Sequence, residues 1–345
     1  MRKILALDAG GTSSRAVLID ASGACSGFGR AGGGNPTAVG TVAAVDALGL
    51  AVERAIDDGR VTSAGSDSLV VIALAGTATT PFITRLETRL SSLGLSGRIV
   101  VEPDLLGTFC SGTARKDGFA VIAGTGTIAA RVVDAQIHTV KGGSGWLLGD
   151  TGSGFWIGRQ VARAVVASLD GLGPSTGLTQ RLLDATGIER TRGLSRGRPE
   201  ELARLMTELY ALRPVELARF APLAFDLVDT ANLAGAEADD VAHDILDTAA
   251  AGIAGLLSAA IEAGASGGIV VLGGGVLAAG LSRAPAIFVH RLRAAAEDAE
   301  FIPVQDGVVG AAVLAFRHLG REVDAVFHRQ LSAEIARVRG AAPPS

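Results

Sequence analysis

Two cysteines, Cys25 and Cys110, are all that this chain of 345 residues holds, and they do not form a C-x-x-C pair. That excludes a disulfide framework and a zinc knuckle, and the plain reading is two reduced thiols in a cytoplasmic protein. Lysine is nearly absent as well. Lys3, Lys116 and Lys141 are the only ones, and none follows a glycine loop with Ser or Thr after it, so a Walker loop is excluded. The five histidines, His138, His243, His290, His318 and His328, show no metal-ligand spacing. Neither sign of charge is in excess: 31 basic against 35 acidic residues leave a net −4, too little positive field to hold nucleic acid or an anionic membrane surface.

Aromatic residues make up 4% of the chain and hydrophobic residues 48%, so a large core must be built from Ala, Val, Leu and Ile. A chain this apolar is globular rather than disordered. One uncharged run, residues 263–282, is long enough to cross a membrane, but seven of its residues are glycine and the triplet Gly273-Gly274-Gly275 breaks any helix there. Met1-Arg2-Lys3 leads straight into a strand pattern rather than a signal sequence.

What is present is an alternation of short Val/Ile-rich runs with longer stretches of helical spacing, the mark of α/β architecture. Residues 4–7 and 15–19 read as strands joined by a turn too short for a crossover helix, hence a hairpin. A helix over 38–57, a strand at 69–74, a helix over 81–93, a strand at 98–101 and a helix from Asp104 complete one unit. A second unit begins in the same way, with strands at 119–123 and 128–133 around Gly124-Thr125-Gly126-Thr127. Residues 153–169 and most of 176–220 read as helical, interrupted by a solvated loop holding Arg190, Arg192, Arg196 and Arg198. A long helix carries Val241, Ile245, Ala249, Ile253, Leu256 and Ile261 and can stop at Gly264; a strand comes next at 269–272, and the tail 341–345 is expected to be disordered. The expected division is 1–116 for a first lobe and 117–345 for a larger second lobe with helical insertions.

Several short motifs could carry chemistry. The turn Asp8-Ala9-Gly10-Gly11-Thr12 can aim consecutive amides at an anion, with Asp8 placed to hold a hydrated magnesium ion, or it can be an ordinary hairpin turn. Residues 124–129 formally fit G-x-G-x-x-A, yet residues 128–133 read as a strand rather than a helix, so a second phosphate hairpin fits better than a dinucleotide site. Asp104, in Glu102-Pro103-Asp104 at a strand-to-helix junction, can be a helix cap or a general base kept ionised by the helix N-terminus. The glycine-rich loops at 33–36 and 142–150 can bind a polyhydroxylated ligand or serve as connectors.

The order DAGGT (8–12), EPD (102–104), AGTGT (123–127), GWLLGD (145–150) with GSGFW (152–156), and VLGGGVL (271–277) resembles the BadF/BadG/BcrA/BcrD family of ATPases. That family includes N-acetylglucosamine kinases and lies within the sugar kinase, Hsp70 and actin superfamily. The resemblance implies two ribonuclease-H-like lobes with ATP and magnesium in the cleft between them, and a homodimer. It puts Gly10, Gly11 and Thr12, then Gly124, Thr125, Gly126 and Thr127, on the phosphates, Asp8 on the metal, and Gly273, Gly274 and Gly275 on adenosine. It makes Asp104 the catalytic base, touching the substrate, with Asn35, Thr127, Gly145, Trp146 and Asp150 around an amino sugar. Where such kinases read G-G-W-G and G-D-E-G, this chain has Ser144 and Thr151, both beside the expected sugar pocket. The expected activity is ATP-dependent phosphorylation of N-acetylglucosamine at its 6-hydroxyl, with glucosamine, another amino sugar or a muropeptide as alternatives. Two rivals are an iron–sulfur ATPase activator of 2-hydroxyacyl-CoA dehydratases, whose cysteine context is not found here, and a non-catalytic nucleotide sensor.

Overall fold

The first strand, β1 (Lys3–Ala9), is buried from Ile4 onward, and its alternation sends Leu5 and Leu7 into one core and Ile4 and Ala6 into another. A strand covered on both faces belongs at the centre of a sheet. In the computed structural model, which describes residues 3–60, 68–191, 193–229, 239–261 and 268–341, β1 is the middle strand of five. β2 (Ser14–Asp20) and β3 (Cys25–Ala31) extend the sheet antiparallel on one side. Helices α1 (Pro36–Val39) and α2 (Thr41–Asp58) come next, then β4 (Leu69–Leu74), α3 (Thr80–Ser92) and β5 (Arg98–Pro103), with β4 and β5 parallel to β1. The order is β3-β2-β1-β4-β5, and α4 (Asp104–Gly112) leaves the sheet's edge.

The second sheet repeats this plan. β6 (Gly118–Ala123), β7 (Thr127–Val133) and β8 (Gln136–Gly142) form the antiparallel half. The intervening chain is mostly helical: α5 (Gly145–Leu148), α6 (Gly154–Leu169), α7 (Leu178–Thr186), a two-strand ribbon of β9 (Leu194–Ser195) and β10 (Arg198–Pro199), α8 (Glu200–Ala211), a 3-10 segment (Pro214–Phe220), α9 (Ala221–Val228) and α10 (Asp240–Ala260). β11 (Gly268–Gly273), α11 (Gly275–Arg283), α12 (Pro285–Ala295) and β12 (Ala299–Pro303) add the parallel half, giving β12-β11-β6-β7-β8. α13 (Val308–His318) and α14 (Ala325–Ala341) close the chain.

Three cores result. One lies under α2 and α3, and one lies between the second sheet and its outer helices. The third joins Ala6 and Val71 of the first sheet to Ala120 and Val271 of the second through α4 and α13. The α4–α13 crossing is close enough that a Cβ on Gly310 would stand 1.7 Å from the Gly107 carbonyl oxygen. There the Gly310 amide donates to Ser111 Oγ at 2.8 Å. α14 packs back on the first sheet, where Arg337 Nη2 donates to the Cys25 carbonyl at 2.7 Å.

The duplicated plan and most expected elements are present, with some differences. The helix expected over 38–57 is two helices, broken at Gly40 with φ +86°. The Arg-rich stretch is a tight ribbon turning at Arg196, φ +53°, and Arg190, Arg196 and Arg198 are solvated as expected. β3 is not legible in the sequence because it carries Gly27 and Gly29, which weaken a strand. Both are needed there: a Cβ on either would stand within about 2 Å of an α2 carbonyl, at 2.1 Å from Ala55 and 1.9 Å from Ala51. Arg192, the stop expected at Gly264 and the tail beyond residue 341 lie outside the described residues.

Candidate active site

The same alternation that turns Ile4 and Ala6 toward the other lobe puts Asp8 on that face, at the carboxyl end of β1. In open α/β sheets this is where ligands bind. Arg15 bridges two carboxylates, with Nη1 3.0 Å from Asp8 Oδ2 and Nε 3.0 Å from Asp306 Oδ2. Arg339 of α14 reaches the same Asp306 oxygen at 3.0 Å, and Asp306 Oδ1 accepts from the Val308 amide at 3.1 Å as α13 begins. Burial pushes the Asp8 carboxyl up to about 7; the Asp306 charge adds to this, Arg15 and the Gly307 amide oppose it, and Asp104 adds a smaller push. Asp8, Asp104 and Asp306 therefore share one electrostatic site drawn from both lobes.

The two hairpin turns face each other. A Cβ on Gly11 would stand 3.4 Å from Thr125 Oγ1. The Gly10 amide closes its own turn on the Ser13 carbonyl at 3.0 Å, and the Gly124 amide does the same on Gly126 at 2.9 Å. The Thr127 amide donates to Asp150 Oδ1 at 3.1 Å. The amides of Gly11, Thr12, Thr125 and Gly126 have no protein acceptor among the described residues, so these four are the ones an anion between the lobes can take.

Asp104 is the first residue of α4 and sits half-buried rather than capping the helix in the usual way; its Oδ1 accepts from the adjacent Leu105 amide at 2.8 Å. Burial raises its carboxyl to about 6, against the lowering by the Leu105 and Asp104 amides. The sequence suggested that the helix N-terminus sets its charge; in the structure desolvation outweighs that effect. At neutral pH the group is still mostly ionised and is a stronger base than an ordinary aspartate.

Asn35 lies beside the first turn, because the amides of Gly34 and Asn35 both donate to the Gly10 carbonyl, at 2.9 and 3.2 Å. Its Oδ1 caps α1 through Thr37 and Ala38, which leaves Nδ2 as a donor. Asp150 sits at φ +61°, a backbone conformation most side chains avoid. It packs on the second turn, 3.0 Å from where a Gly126 Cβ would be, and burial raises its carboxyl. The Thr127 hydroxyl donates to the Thr151 carbonyl at 3.2 Å, so it pins the loop carrying Asp150. Gly273 abuts Thr108 of α4, and a Cβ on Gly274 would stand 2.4 Å from the Ala123 carbonyl, which puts the glycine triplet against the second turn; Gly275 opens α11. Gly145, at φ +81°, and Trp146 lie on α5, and the Trp146 ring meets Phe155 edge-on at 5.9 Å; the Phe155 amide donates to the Thr125 carbonyl at 3.4 Å.

Sequence reasoning missed Asp306 and Arg15. The signal was available in the duplication: Asp104 follows β5 and opens α4, and Asp306 follows β12 and lies two residues before α13. No group of three or more His, Cys, Asp or Glu that could hold a metal occurs among the described residues. No described helix is long and apolar enough to cross a membrane.

The sequence profile of the BadF/BadG/BcrA/BcrD ATPase family matches residues 5–315. The chain belongs to this family. A 117-residue stretch is 33% identical to the N-acetylmuramic acid/N-acetylglucosamine kinase of Clostridium acetobutylicum, covering 34% of this chain and 38% of that one. A 161-residue stretch is 30% identical to the N-acetyl-D-glucosamine kinase of Dictyostelium discoideum, covering 45% and 48%. The chain thus spans less than half the length of either relative. The crystal structure of a candidate N-acetylglucosamine kinase from Chromobacterium violaceum superposes with TM-score 0.71 at 22% identity, over 91% of this chain and 99% of that one. A second, from Porphyromonas gingivalis, gives 0.66 at 20%, over 93% and 100%. These structures share the two-lobed fold of this family member.

Proposed function

We propose that this family member is an ATP-dependent amino-sugar kinase that phosphorylates N-acetylglucosamine on its 6-hydroxyl. The observation that carries the reading is the approach of Thr125 to Gly11, which lets two turns hold one triphosphate, with Asp104 beside it. Catalysis of phosphoryl transfer rests on positioning and charge stabilisation. The free amides of Gly11, Thr12, Thr125 and Gly126 hold phosphate oxygens, and the glycine triplet lies under adenosine. Asn35 and Asp150 hold the sugar. Asp104 accepts the hydroxyl proton as the oxygen bonds to the γ-phosphorus and the bond to ADP breaks. The donor set fits magnesium: Asp8 is a buried carboxylate whose charge Arg15 only partly offsets, and magnesium is held by one or two carboxylates together with phosphates. Magnesium bound there supplies compensation of the phosphate charge. Homodimeric assembly and a cytoplasmic setting belong to the same proposal.

The cysteines weigh against the iron–sulfur activator reading. Cys25 and Cys110 are both buried, with thiols pushed up to about 12 and about 11 by burial, whereas a cluster shared between subunits needs thiolates at the surface.

Ser144 and Thr151 make the acceptor the point to test. A panel of N-acetylglucosamine, N-acetylmuramic acid, glucosamine and hexoses, incubated with ATP and magnesium and analysed by mass spectrometry, is expected to give N-acetylglucosamine 6-phosphate with the highest kcat/KM. Phosphorylation of none of them, with ATP bound, overturns the reading. The raised carboxyl of Asp104 sets the pH profile. With saturating nucleotide and magnesium, kcat is expected to fall as pH drops through about 6. A limb near 4 would show that the reacting base is an unperturbed carboxylate.

A further inference from the structure

A second concavity lies outside the cleft. α6 forms one wall, α8 and the 3-10 segment form the other, and Trp146 and Phe155 add to the lining. Its volume of about 800 Å³ is in the range of small-molecule sites, and its walls are mainly apolar, including Val166, Leu209 and Leu217. Two arginines line it. Arg159 and Arg163 stand one turn apart on α6, both exposed, and neither has an acidic partner or hydrogen bond among the described residues. Asp170, the one carboxylate in the lining, is 4.0 Å from Arg198. Like charges one helical turn apart repel each other, and a carboxylate between them relieves this.

We propose that this groove is a binding site for a small amphipathic carboxylate, its apolar body lying between Leu217 and the edge of Trp146 and its acid group held by Arg159 and Arg163. The charge arrangement selects the ligand class: an apolar trough with two unpaired guanidinium groups favours a monoanion over a neutral or cationic molecule of the same shape. The lining holds none of Asp8, Asp104, Thr125 or Asp150, so the Arg159–Arg163 pair does not rest on the kinase reading; Trp146 alone is shared with the expected sugar pocket.

Isothermal titration with 4-phenylbutyrate and its neutral counterpart 4-phenylbutanamide, without ATP or sugar, tests it. The carboxylate is expected to bind with Kd at or below ~1 mM, and the amide at least about tenfold more weakly. Arg159→Gln/Arg163→Gln, both at exposed positions, is expected to bring the two probes to equal affinity with an unchanged circular dichroism spectrum. Trp146→Ala is expected to weaken both probes about fivefold. Equal binding of acid and amide to the wild-type protein, unchanged binding of the acid by the double variant, or no binding heat at millimolar probe would each overturn the proposal. Sugar phosphorylation by the Arg159→Gln/Arg163→Gln variant, measured in parallel, reports on the kinase reading alone.

Discussion

Asp104→Asn is expected to lower kcat by at least about a hundredfold while the affinity for ATP changes by less than about threefold. The amide is nearly isosteric and can still accept from the Leu105 amide, so the helix start survives. What is lost is the proton acceptor. The same variant is expected to be more stable than the wild-type protein at neutral pH. The folded-state carboxyl lies at about 6, above the ordinary 3.8, because of burial. The folded protein therefore holds that proton more tightly than the unfolded chain does. Stability from this group is fully present below about 4 and is lost as pH rises through about 6. At pH 7.5 the ionised group is a net cost, and removing it is expected to gain about 1 kcal/mol, a figure discounted for partial solvent access. Urea unfolding at pH 7.5 and at pH 4 separates the cases: the gain should vanish at the lower pH. A variant that loses stability and ATP affinity together would mean that Asp104 holds the fold rather than the reaction.

The second large effect is expected at the crossing of α4 and α13. Gly310→Ala puts a methyl group 1.7 Å from the Gly107 carbonyl oxygen, and the obstructing atoms are backbone, which cannot swing aside. The helices must separate, the Gly310–Ser111 hydrogen bond breaks, and the middle core opens. A loss of about 3 kcal/mol or more in urea unfolding is expected. Because α4 carries Asp104 and α13 follows Asp306, residual folded protein should also show impaired turnover. Gly320→Ala, where nothing lies within 4 Å but φ is +76°, is expected to cost only about 1 kcal/mol and serves as the control.

How much of this was legible in the sequence depends on which signals are local. The buried strands β1 and β4 announce themselves by runs of Val, Ile and Leu, and the turns at 8–12 and 124–127 by glycine and threonine between such runs. Their duplication announces two sheets of one plan. β3 and β8 stayed hidden because their residues answer to neighbours distant in sequence: Gly27 and Gly29 to the backbone of α2, and the half-exposed Gln136–Gly142 to pairing with β7. At the site, residue types at a turn were readable, but the division of labour among them was not. Nothing local says that the Gly10 and Gly124 amides close their own turns, that the Thr127 hydroxyl pins Thr151, or that Arg15 binds both Asp8 and Asp306. Burial likewise decides the charge of Asp104, and burial is set by the lobe-to-lobe packing.

The central claim is that both turns grip one nucleotide from opposite lobes. Amide hydrogen exchange with a non-hydrolysable ATP analogue and magnesium tests it most directly. The account predicts that residues 10–13, 124–127 and 273–276 gain protection together, over the same range of analogue concentration. Protection confined to one lobe, or no change in either turn while the analogue is bound, would contradict it.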